Sequence, residues 1–297
     1  MAVRTSLSYT AEADHKKLDF FLRSRGISRR LITDLKYIDC LLVNGTPATT
    51  IHPIRQGDTV TLLFPPEETL SCEPQKGNFP ILYEDEDILA VEKPAGIATH
   101  PALGTKDGTL GNFVSQYYLE QNCPLPFRPV SRLDKETSGL VLIAKHKLSH
   151  HNLAEQQAKG LFQKQYLALV SGVPEKQSGE ITFPIARESE TSLRRICHSD
   201  GKPAHTIYNI IAQHRNLALL QLDLKTGRTH QIRVHLSKIG HPVLGDKMYG
   251  TTPAKLLYLH SFKAKFFQPV TKKPMEITAP CNFKTLLSQF ENEEPIL

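Results

Sequence analysis

Apolar positions along the chain change period near residue 66. Before it, Leu18, Phe21 and Leu22 share one helical face, and Leu31, Ile32, Leu35 and Ile38 recur at helical spacing behind Ser28, a candidate cap. A short apolar run, Cys40–Val43, leads into Asn44-Gly45, a tight-turn signal, and Asp58–Phe64 alternates until Pro65-Pro66 stops it. Helix, helix, strand, strand predicts a small α+β unit over residues 14–66. Residues 67–78 are polar, carry Pro74 and Gly77 and lack periodicity, which predicts a linker. From Phe79 the pattern mixes short helices with strand-like runs at Ile88–Val91, Leu140–Ala144, Gln165–Val170 and Leu217–Leu224. That predicts a second α+β domain, residues 79–297, around a mostly antiparallel sheet.

Composition narrows the class. The chain has 297 residues, 40% hydrophobic and 22% charged, a globular balance for a small domain joined to a larger one. No run approaches the roughly eighteen apolar residues of a membrane span, and the N-terminus lacks the apolar core of a secretory signal. The cysteines, Cys40, Cys72, Cys123, Cys197 and Cys281, are odd in number and dispersed, so a reducing cytoplasm is expected and a disulfide framework is not. A monomer is the default expectation.

Net charge is +6, a mild bias toward a polyanion. Its distribution says more. Between Lys16 and Lys36 seven basic residues face only two acids, Asp19 and Asp34. A solvated helix face explains many charge runs, but here Arg23, Arg25, Arg29, Arg30 and Lys36 cluster around one helix–turn–helix, which favours a phosphate-facing patch. The segment LDFFLRSRGISRRLITDLKYIDCLLVNG resembles the S-four-like RNA-binding domain over about a sixth of the chain, and the resemblance implies that these five side chains contact RNA.

Motifs for nucleotide loops, dinucleotide turns, zinc sites and serine-hydrolase elbows are absent, so neither a cofactor nor a metal is expected. Three blocks remain. In PVSRLDKETSGLVLIAK (residues 129–145), charged groups crowd the mouth of a continuously apolar strand, held by a rigid element yet reachable. A turn whose Asp134 merely caps the backbone is the competing reading. In KTGRTHQIRVHLSKIGHP (residues 225–242), Gly227 permits a left-handed turn, Thr229 can cap, Ile232, Leu236 and Ile239 line one face, and Gly240 and Pro242 end the helix. Arg228 then sits at a helix start, where the dipole does not favour a cation, so a carboxylate partner is expected. From Leu224 to Gly245 there are four Lys or Arg and no acid. In FQKQYLALV (residues 162–170), Lys164, Tyr166 and Ala168 fall on one strand face; a tyrosine there is usually core.

Together with VEKPAGIATHP, GTLGNF, HPVLGDKMYG and LHSFKAKF, these blocks resemble the RluA-type RNA pseudouridine synthases from about Ile81 onward. The resemblance implies a mixed, mostly antiparallel pseudouridine synthase sheet with a central cleft. It implies Asp134 as catalytic carboxylate, Tyr166 as base-stacking tyrosine and Arg228 as the arginine pairing with the carboxylate. It also implies Arg132, Gln231, Arg233 and Leu236 at the substrate, with Arg132 filling the place of an extruded nucleotide. Two positions depart from the pattern: Ser131 and Gln268 stand where the family usually has His.

Isomerising uridine in ribosomal or transfer RNA breaks N1–C1′, turns the uracil and joins C5 to C1′, with no redox change. The anomeric carbon becomes electron-poor as in glycoside cleavage. A carboxylate can stabilise it, attack it or remove a sugar proton, and the sequence leaves these roles open. A non-catalytic RNA-binding or ribosome-assembly factor would not need the Asp134, Tyr166 and Arg228 set. A small-molecule glycosidase would want a second carboxyl group, for which only Glu136 is near.

Overall fold

The computed structural model describes residues 3–65, 69–102, 104–252, 254–283 and 285. The N-terminal unit runs β1 (Ser6–Thr10), α1 (Leu18–Ser24), α2 (Arg29–Lys36), β2 (Leu41–Val43), β3 (Thr46–Pro47) and β4 (Thr59–Leu63), in an antiparallel sheet of order β1-β4-β2-β3. Ser28 caps α2, its Oγ accepting from Leu31 N at 3.2 Å. Asn44 and Gly45 both take positive φ, which suits the twist of the β2–β3 hairpin. Leu18, Phe21, Leu22, Leu31, Ile32 and Leu35 pack on Leu41, Val43, Val60 and Leu62. The unit starts earlier than residue 14, because β1 pairs with β4 along its whole length. Ile38 lies beyond the end of α2 and is 53% exposed, so the helical apolar face stops at Leu35.

The second unit runs β5 (Ile81–Glu84), β6 (Ile88–Lys93), α3 (Leu110–Glu120), β7 (Ser138–Ala144), α4 (Lys147–Ala158), β8 (Gln163–Ser171), β9 (Ser178–Ile181), β10 (Ile185–Arg187) and β11 (Arg195–Cys197). It continues through β12 (Thr206–His214), β13 (Leu217–Leu224), α5 (Gln231–Lys238), β14 (Leu259–Phe267) and β15 (Pro274–Thr278). The sheet order is β5-β6-β7-β14-β8-β13-β12-β9, with β15 on β14. Only the β7–β14 pairing is parallel among the described strands; β10 and β11 form a separate hairpin. No helix among the described residues is long and apolar enough to cross a membrane.

The apolar run in β7 is explained by burial on both faces. Val141 and Ile143 join Leu89, Val91, Tyr166 and Ala168 in one core, while Leu140, Leu142 and Ala144 join Ile88 and Ala90 in another. The expected linker is stitched down where it is described: Ser71 Oγ accepts from Phe127 N at 2.8 Å, and Asn112 of α3 donates to Glu73 O at 2.9 Å.

The two units are docked. Leu148 of α4 completes the N-terminal core, and Phe64 stacks on His146 at 5.3 Å. Arg4 donates through Nε and Nη2 to both oxygens of Asp87 at 2.6 and 2.9 Å. Burial alone would raise the Asp87 carboxyl, but His146, Arg4 and Gln268 hold it well below the usual carboxylate range. Gln268, one of the two departures from the family pattern, donates to Asp87 at 2.5 Å and to Asp85 at 3.2 Å. Its consequence lies in this joint.

Candidate active site

Asp134 sits in the loop that feeds β7, at the floor of a cleft of about 1120 Å³ also lined by Arg132, Lys164, Tyr166, Leu193, Arg228, His230 and Arg233. The loop is braced from behind. Lys93, fully buried, donates to the carbonyls of Pro94, Ile97 and Lys135 at 2.7–3.0 Å. Thr99 Oγ1 donates to Leu133 O and accepts from Leu133 N. Gly139 then allows β7 to meet β14: its φ is +109° and a Cβ there would collide with the Ser261 carbonyl. The backbone oxygen of Asp134 closes a turn with Thr137 N at 3.1 Å, leaving the carboxylate to face the cleft.

The guanidinium at that carboxylate belongs to Arg233, not Arg228. Arg233 Nη1 lies 3.7 Å from Asp134 Oδ2. Its other arm is pinned: Nε and Nη2 donate to Asp246 Oδ2 and Oδ1 at 2.6 and 2.8 Å. Asp246 also accepts from the backbone of Met248 and Tyr249, so both charges are satisfied at a buried site. Burial opposes the charge on each; their mutual bonds prevail, raising the arginine and lowering the aspartate. Arg228 also borders the cleft, but its Nε donates to Pro203 O at 3.0 Å.

The reason is a shifted helix start. The left-handed residue is His230, with φ 56°, rather than Gly227, and His230 rather than Thr229 occupies the cap position. Residues 230 and 233, three apart at the start of α5, therefore point to one side, and both reach Asp134, His230 Nε2 at 3.8 Å. Arg228 falls outside the helix. Gln231 braces this elbow: its Oε1 accepts from Thr226 Oγ1 and Arg228 N, and its Nε2 donates to His205 O and Thr206 Oγ1. With its amide fully used, Gln231 holds the loop at the wall of the cleft. Leu236 is fully buried in the main core, so it packs and does not meet substrate.

Tyr166 lines the cleft but is only 7% exposed, and burial pushes its hydroxyl up to about 12 despite a bond to Ser261. It stays protonated at neutral pH, which suits a stacking platform better than a base. Arg132 is exposed at the rim, 3.4 Å from His100 Nε2. On the N-terminal unit, Arg29 and Arg30 open α2 and are exposed. Arg23 lies 3.9 Å from Asp19, Arg25 packs over Tyr9 and Phe21 and reaches Glu12 at 3.8 Å, and Lys36 lies over Tyr37. No cluster of three or more potential metal ligands occurs among the described residues. His230, Asp246 and Tyr249 were missed as site residues. Their signal lay in the motif text THQIR and GDKMY, where no periodicity marks them.

The cleft therefore sets an acid, Asp134, beside a doubly held arginine, Arg233, with Tyr166 in the same wall. The sequence model described as RNA pseudouridylate synthase matches residues 87–238. The chain is 36% identical over 317 residues to an RNA pseudouridine synthase of Aquifex aeolicus, covering 99% of this chain and all of that protein. It is 38% identical over 224 residues to ribosomal large subunit pseudouridine synthase D of Haemophilus ducreyi, covering 74% of this chain and 66% of the relative. The solved human RNA pseudouridylate synthase domain containing 1 superposes with a TM-score of 0.59 at 27% identity, covering 72% of this chain and 89% of that one. The chain belongs to the RNA pseudouridine synthase family, of the RluA type. It is an isomerase that converts uridine in RNA to pseudouridine.

Proposed function

We propose that the chain, as a cytoplasmic monomer, modifies uridine in structured ribosomal RNA, with Asp134 as the carboxylate that meets the ribose. The observation that carries the reading is the Asp134–Arg233–Asp246 arrangement on the cleft floor. Arg233, itself held by Asp246, gives the acid a fixed positive partner and so sets where it points. As N1–C1′ breaks, that negative charge compensates the growing positive charge at C1′. The freed uracil, its N1 keeping the electron pair of the broken bond, stays over the Tyr166 ring and turns until C5 faces C1′; C5 supplies the pair for the new C–C bond, and its proton passes to solvent as N1 takes one up.

The target base must leave its stack to reach the floor, at a cost of about a few kcal/mol. Arg132, exposed at the rim, is placed to occupy the vacancy, and the phosphate-facing arginines of α1 and α2 offset the cost. The N-terminal unit thus serves as an RNA-binding domain. Ribosomal RNA is favoured over transfer RNA because the Haemophilus ducreyi relative is named for the ribosomal large subunit. The test is site-resolved pseudouridine mapping in total RNA from cells with and without the gene. One or a few ribosomal positions should revert to uridine; loss confined to transfer RNA, or no change, would contradict the reading.

A further inference from the structure

A second chain of contacts ends on the same carboxylate. The backbone N–H of Arg195, the first residue of β11, donates to the Tyr249 hydroxyl oxygen at 2.8 Å. That hydroxyl lies 2.8 Å from His230 Nδ1, and His230 Nε2 lies 3.8 Å from Asp134 Oδ2. With its oxygen already accepting from Arg195, Tyr249 has its own hydrogen free for Nδ1. A ring nitrogen that accepts leaves the imidazole neutral, with its hydrogen on Nε2.

We propose that His230 is a positioning residue of the reaction: Tyr249 fixes it as the neutral, Nε2-protonated tautomer, and its Nε2–H orients the Asp134 carboxylate toward the ribose. The inference rests on the reading of Asp134 above and adds a group that acts through it. Three independent features support it. His230 holds a left-handed backbone uncommon for a side-chain-bearing residue, an arrangement that persists only when its surroundings impose it. Tyr249 is itself locked, its ring over Arg233 at 5.0 Å and over Arg194 at 5.7 Å. Its hydroxyl is pushed up by burial and so keeps the hydrogen it donates.

The charges around the ring agree. It faces Asp134 on the catalytic loop, Arg233 on its own helix, Asp246 on the following loop and Arg195 on the β10–β11 hairpin. Burial, then the two arginines, lower the imidazole below its ordinary value against the pull of the two aspartates. Protonation would turn a neutral donor into an imidazolium that competes with Arg233 for the carboxylate and ejects the Tyr249 hydrogen. Turnover should therefore fall on the acid side as His230 takes a proton.

The experiment follows tritium release from RNA labelled at uridine C5, extracted from cells lacking the gene, between about pH 5 and about pH 9. The wild-type acid limb should lie below the ordinary histidine range. Tyr249→Phe keeps the ring over Arg233 but loses the donor, so the limb should move up by about one pH unit, costing about threefold near pH 6 and little near pH 8. His230→Gln should lower kcat about tenfold, leave KM unchanged and abolish the limb. Superimposable wild-type and Tyr249→Phe limbs, or a limb retained in His230→Gln, would overturn the proposal. Should either variant fail to fold, imidazole nitrogen NMR of the wild-type protein decides: the Nε2–H tautomer at neutral pH supports the proposal, and Nδ1–H or imidazolium overturns it. Asp134→Asn, run alongside, separates the two readings. If it is inactive at every pH while the limbs stay fixed, only the role of His230 falls; if it is active, both do.

Discussion

Arg29 and Arg30 stand exposed on the first turn of α2, whereas Arg233 on α5 is 8% exposed and bound through two nitrogens to Asp246. Both regions are basic in sequence, yet the chemistry available to each is different. An exposed guanidinium is screened by salt and gains chiefly by releasing counterions from phosphate, so it supplies affinity without precise placement. A buried, doubly held guanidinium acts at low effective dielectric and fixes a neighbouring carboxylate to within the tolerance a reaction needs. Charge counts do not separate these uses; the acid standing behind the arginine does.

The largest break in that contrast comes from removing the acid. Asp246→Ala leaves Arg233 buried without its partner, which should cost about 3–5 kcal/mol in denaturant unfolding. It should also lower turnover by about a hundredfold or more, since the arm facing Asp134 loses its anchor. A variant of wild-type stability would show that the pair does not organise the site.

The joint between the two regions comes next. Asp87 carries a carboxyl held low in the folded protein, so its contribution is present above the unfolded value near 3.8 and is lost as pH falls through the folded one. Asp87→Asn should be about 1.5–3 kcal/mol less stable than wild type at neutral pH. The gap should begin to narrow below the unfolded value near 3.8 and close only as pH falls through the folded one. A gap independent of pH would assign Asp87 to packing alone.

The smallest effect sharpens the other side of the comparison. Arg29→Ala with Arg30→Ala should weaken RNA binding and reduce the slope of log affinity against log salt by about two, with kcat at saturating RNA little changed. An unchanged slope would make this patch ordinary surface.

What could be read beforehand followed from local rules. β7 was visible because a strand covered on both faces is apolar throughout, and the β2–β3 turn because Asn44-Gly45 takes positive φ readily. β1 was missed because Ser6–Thr10 is a polar edge strand whose only signature is its long-range partner, β4. At the site, the motif located the loop of Asp134 and the start of α5. The pairing was misassigned because Gly227 and Thr229 satisfy the usual left-handed and capping preferences, while tertiary contacts to Tyr249 impose the left-handed turn on His230. With His230 as the cap, Arg228 falls before the helix and Arg233 lies in its first turn, facing Asp134. Asp246, thirteen residues beyond Arg233, is outside any helical spacing and could be found only in three dimensions.

The most direct measurement is tritium release by Asp134→Asn on the RNA that the wild-type protein modifies, with binding to the same RNA measured in parallel. Asparagine keeps the shape and removes the charge, so turnover should vanish while affinity stays within about threefold of wild type. Substantial pseudouridine formation by the variant would contradict the account.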